Sequence, residues 1–83
     1  MAEQTTMKTQ AKQTNEKMAV YLIEQRKNAN YTMRALADEL GIAHSFIGKI
    51  EQQNRRMDVG EFIFYCQTLK KDPAVALQEI MAL

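Results

Sequence analysis

The segment TMRALADELGIAHSFIGKIE, residues 32–51, leaves little freedom in what this chain can fold into. Thr32 is a good N-cap for MRALADEL, because its hydroxyl can accept from an otherwise unpaired amide in the first helical turn. Leu36, Ala37 and Leu40 follow at spacings of three and four, which places them on one face of a helix. Gly41 comes next, where a helix C-cap calls for a positive φ that glycine adopts without steric cost. Ile42 and Ala43 lead into HSFIGKIEQ, in which Ile47 and Ile50, three apart, mark an inward face. So short a turn between two helices forces a steep crossing and leaves the second helix partly exposed. It also demands a small residue at the close approach, and Ala37 supplies it.

The same helical periodicity extends in both directions. Met18, Ala19, Leu22, Ile23 and Arg26 fall on one face of a first helix, which Asn15 can cap. That helix is expected to end in the Asn-Ala-Asn segment at 28–30, where asparagines tolerate turn conformations. Beyond a polar loop, QNRRM, Asp58 is expected to cap a fourth helix reaching Lys70. Its apolar stripe is Val59, Phe62, Ile63, Cys66 and Leu69, with Phe64 as its exposed aromatic. Asp72 and Pro73 suit the cap and first turn of a last helix. No strand pattern, internal repeat or second domain is evident. The expectation is an all-α domain over residues 15–83, preceded by a mobile Gln-, Thr- and Lys-rich tail over 1–14.

Composition narrows the function classes. A chain of 83 residues holds one domain with a modest core. No apolar run approaches the roughly 20 residues that span a bilayer. The opening MAEQTTMKTQAKQTNEK has no apolar stretch of the kind a signal peptide needs, so a cytoplasmic location is expected and no membrane partner. Cys66 cannot form an internal disulfide, and with the single His44 it makes no zinc set. It lies in FIFYCQTL and is expected to be a buried structural thiol. One His, one Cys and no clustered carboxylates offer no acid–base pair, triad or metal cage. No enzyme, cofactor or small-molecule ligand is therefore expected. The net charge is only +1, but residues 26–57 carry six cations against three anions, whereas residues from Asp58 onward carry two against four. The middle of the chain is the part suited to a polyanion.

On Arg26, Thr32, Leu36, Ala37, Leu40, Gly41, Ile42, Ser45, Ile47, Ile50 and Glu51, the chain resembles the XRE group of helix-turn-helix regulators, related to Cro and the lambdoid phage repressors. The RRMDVGEF stretch and Asp72–Pro73 extend the likeness, which covers roughly Leu22 to Leu77. The resemblance implies a compact, five-helix, lambda-repressor-like domain that binds double-stranded operator DNA, usually as a two-fold homodimer, and so a transcriptional regulator, expected to be a repressor. Carried over by position, HSFIGKI would enter the major groove. Its outward positions His44, Ser45, Gly48 and Lys49 are the expected base contacts, with Lys49 able to donate to guanine O6 and N7. Thr32, Arg34, Asn54, Arg55 and Arg56 would hold phosphates, and Phe46 would lie against the DNA backbone or back against the protein. Lys8 and Lys12 in the tail are further candidates for DNA contact. Arg26 and Glu51 match the family's structural ion pair.

Three positions depart from the family's pattern. Met33 replaces a phosphate-gripping Gln, Ala43 replaces the usual Ser or Thr cap, and Gly48 interrupts the recognition helix. At the C-terminus, Leu77, Ile80, Met81 and Leu83 are more apolar than a lone terminal helix needs. They either cap the core or, as favoured here, form a dimer seam. An antitoxin-like module that binds a second protein is the alternative on the same fold.

Overall fold

The computed structural model describes residues 6–83. It contains five α-helices: α1 Met7–Asn28, α2 Met33–Leu40, α3 His44–Glu51, α4 Val59–Thr68 and α5 Pro73–Met81. There is no strand among the described residues. The fold is thus the all-α, five-helix arrangement that periodicity and resemblance led us to expect.

Local chemistry sets most helix ends. The side chains of Thr6, Thr32, Asp58 and Asp72 each accept from a backbone amide in the following turn. At α4 the arrangement is reciprocal: Asp58 accepts from the Glu61 amide, and Glu61 accepts from the Asp58 amide. Gly41 ends α2 at φ 71°, the left-handed conformation that its place in the sequence requires. Asn30 closes the α1–α2 turn at φ 62°.

The core lies where α2 packs on α3, with α1 against α3 and α5, and α4 against α2 and α5. Leu22, Leu36, Ala37, Ile47, Tyr65, Cys66, Ala76 and Ile80 fill it, each essentially inaccessible. Full burial of Ala37 explains why the α2–α3 crossing needs a small residue there. Burial also pushes the Cys66 thiol up to about 11, so it stays protonated as a packing group. Tyr21 donates to Glu79, which also pairs with Lys71 at 2.9 Å, tying α1 to the last turn of α5 and to the loop before it. These two partners hold the Glu79 carboxyl below its ordinary range, the Tyr21 hydrogen bond contributing most.

Three expectations are corrected. Residues 7–14 do not form a tail: they are the first two turns of α1, launched from the Thr6 cap, and Asn15 lies inside the helix rather than at its start. The remainder of the expected tail, residues 1–5, lies outside the described residues. In α4 the buried face is Phe62, Tyr65 and Cys66, so Val59 and Ile63 are exposed. Ile80 is not available to a seam: it is buried beneath α5, one turn after buried Ala76, while Leu77, Met81 and Leu83 remain exposed.

Candidate nucleic-acid interface

The Gly41 turn holds α3 against the body by one side only. Ile47 and Ile50 sink into the core, which leaves His44, Ser45 and Lys49 exposed on the other side and Gly48 half-buried between them. Those positions span the first turn and the last turn of a helix of eight residues. No side chain caps α3, because Ala43 stands at its N-cap. A Cβ built on Gly48 would meet only the Met33 sulfur, at 3.9 Å, so the surface above Gly48 is open.

The end of α3 is fixed by a buried ion pair. Arg26 Nε donates to Glu51 Oε2 at 2.6 Å and Nη2 donates to Oε1 at 3.0 Å. The third guanidinium nitrogen, Nη1, donates to the Tyr31 carbonyl at 2.8 Å. One side chain thereby joins the last turn of α1, the α1–α2 turn and the last residue of α3. The fork geometry suits arginine and not lysine. Glu51 holds the Arg26 guanidinium still more firmly protonated than usual. The buried Tyr65 hydroxyl has no hydrogen-bond partner among the described residues. Burial, with the Glu51 charge as a second cause, pushes its pKa upward, so the hydroxyl stays protonated.

The elements flanking α3 present further polar groups. Thr32 and Arg34 are exposed at the start of α2, but the Thr32 hydroxyl is occupied in accepting from the Ala35 amide. Its backbone neighbours at Met33 and Arg34 are the open amides of that helix N-terminus. Asn54, Arg55 and Arg56 lie exposed in the loop after α3, which is drawn in by the Asn54 amide donating to the Lys49 carbonyl at 2.7 Å.

The two loop arginines differ. The Arg55 guanidinium sits 4.0 Å from the Phe46 ring centroid and pairs with Glu61 at 3.2 Å. It also donates to the Arg56 carbonyl. Arg56 has no ion-pair partner among the described residues. Phe46 is half-buried, packed beside the core and under Arg55. Neither the Arg55–Phe46 stack nor the Arg55–Glu61 pair is expected from the sequence. The Asp58-Val-Gly-Glu61 capping pattern was the available signal for Glu61; nothing local points Arg55 at Phe46.

Comparison with known proteins agrees with this geometry. A helix-turn-helix family model matches residues 22–75. Among solved structures, the chain is similar to an XRE-family like protein from Pseudomonas syringae pv. tomato str. DC3000. The two share 35% identity over 90% of this chain and 92% of that one, with a TM-score of 0.83. No curated protein matches the chain. With its glycine turn, its proud third helix and the Arg26–Glu51 tie all inside the matched segment, the chain belongs to the XRE-type helix-turn-helix family of DNA-binding transcription regulators.

Proposed function

We propose that this chain is a sequence-specific double-stranded DNA-binding regulator that represses transcription by occupying an operator as a two-fold homodimer. The observation that carries the proposal is the one-sided seating of α3, with Ile47 and Ile50 buried and His44, Ser45 and Lys49 in solvent. Such a helix can enter a major groove while the body stays outside it. Lys49 is the residue best suited to guanine, and His44 and Ser45 are placed in the first turn, where base edges are nearest. Phosphates are assigned to Arg56, Asn54, Arg34 and the open amides after Thr32. Arg55 acts through position: its charge is shared with Glu61, and it braces the loop that presents Arg56.

One such domain offers few base contacts, and a second copy would double them. Leu77 and Met81, one helical turn apart on the outer face of α5, and Leu83 beyond them supply an exposed apolar strip for that copy. Two-fold pairing through it would set two α3 helices about 34 Å apart, one turn of DNA.

Fluorescence anisotropy across a salt series tests the division of labour. Lys49→Ala is expected to reduce discrimination at one base pair by about 1–3 kcal/mol. Arg56→Ala is expected to weaken binding to every duplex alike and to lower the salt slope by about 0.9. Identical behaviour of the two variants would contradict the assignment.

A further inference from the structure

The inward face of α1 changes character along its length. Ala19 and Leu22 are buried and Met18 is packed against the core, but about two and three turns earlier the same face carries Lys12 and Lys8. There the helix runs past the loop that follows α3, and the two enclose a groove of about 520 Å³. Lys8 and Lys12 form one wall, Arg55 and Arg56 the other, and Met18 and Ile50 lie between them. No carboxylate lines it. Glu61 meets the charge of Arg55 from outside the groove, whereas Lys8, Lys12 and Arg56 have no ion-pair partner among the described residues.

We propose that this groove takes the phosphodiester backbone of duplex DNA, so that the first two turns of α1 extend the protein–DNA interface beyond the recognition helix. Three uncompensated cations on facing walls favour a polyanion. Lys8 and Lys12 are separated by about 6 Å along the helix axis, which suits a strand running beside α1 better than one compact anion. Arg56 joins the groove to the loop that already flanks α3, so a single strand can pass from one to the other. This proposal rests on the DNA-binding reading above.

Lys8 and Lys12 are exposed and make no side-chain hydrogen bond among the described residues, so replacing them leaves the fold intact. Circular dichroism and thermal melting check that point. Anisotropy titrations on the full chain, from low to moderate salt, then compare Lys8→Ala/Lys12→Ala with Lys8→Arg/Lys12→Arg. The alanine pair is expected to lower the salt slope by about two and to weaken binding roughly tenfold or more at 0.1 M salt, with base preference retained. The arginine pair is expected to keep both slope and affinity. An unchanged slope in the alanine pair, while Lys49→Ala still alters base preference, overturns the groove and leaves the recognition helix standing. Equal loss in the arginine pair also overturns it, because charge would not be the cause. A wild-type chain that binds no duplex removes both readings.

Discussion

Gly48 is the place on α3 where a side chain is missing between two exposed polar residues. In a helix interior glycine is less favourable than alanine by about 0.5–1 kcal/mol. The structure gives no packing reason for it, since an added Cβ meets nothing closer than the Met33 sulfur at 3.9 Å. Gly48→Ala is therefore expected to stabilise the fold by about that amount in urea denaturation. It is also expected to leave DNA affinity unchanged, the glycine simply leaving one base unread. Higher stability with a large loss of affinity would instead mean that DNA backbone or bases lie within a methyl group of α3. At this scale the sequence was readable where chemistry is local: Thr32, Gly41, Asp58 and Asp72 act on neighbouring amides, and their roles follow from residue type. It was unreadable where two side chains meet across the fold, which is why Arg55 and Arg56 looked equivalent until Phe46 and Glu61 separated them.

The elements are joined by Arg26 and Glu51 more than by any other polar contact. Both side chains are less than a tenth exposed, and they connect α1 to the end of α3. Removing one partner leaves the other charge buried without its counterion, which typically costs about 3–5 kcal/mol. Glu51→Ala is expected to lower the urea midpoint accordingly, with any loss of DNA binding following from unfolding rather than from a lost contact. An unchanged midpoint would contradict the structural role. Element boundaries were legible where an apolar face begins or ends. The start of α1 was not, because residues 7–14 face no core and so carry no apolar period. Their helix rests instead on the Thr6 cap and on straight-chain residues such as Met7, Lys8, Gln10 and Lys12, which lose little freedom in a helix.

At the scale of the whole molecule, the cations of the candidate interface and the apolar strip of α5 belong to different parts of the fold. Lys8, Lys12, Lys49, Arg55 and Arg56 lie on the start of α1, on α3 and on the loop that follows it. The exposed apolar residues Leu77, Met81 and Leu83 belong to the C-terminal end. Sequence alone could not divide α5 into an inner and an outer face, because Leu77, Ile80 and Met81 are all apolar; tertiary packing buries Ile80 with Ala76 and leaves the others out. The fold as a whole was legible because the α2–Gly41–α3 spacing admits few arrangements, whereas the number of chains on DNA depends on a surface whose partner no single chain displays.

Selection of bound duplexes from a random pool is the most direct measurement, because it asks whether α3 reads base edges. Strong enrichment of a short motif is expected, repeated with two-fold symmetry about one helical turn apart, with Lys49→Ala losing the preference for guanine at one position of each half. Recovery of unenriched sequence by the wild-type chain, bound through charge alone, would contradict it.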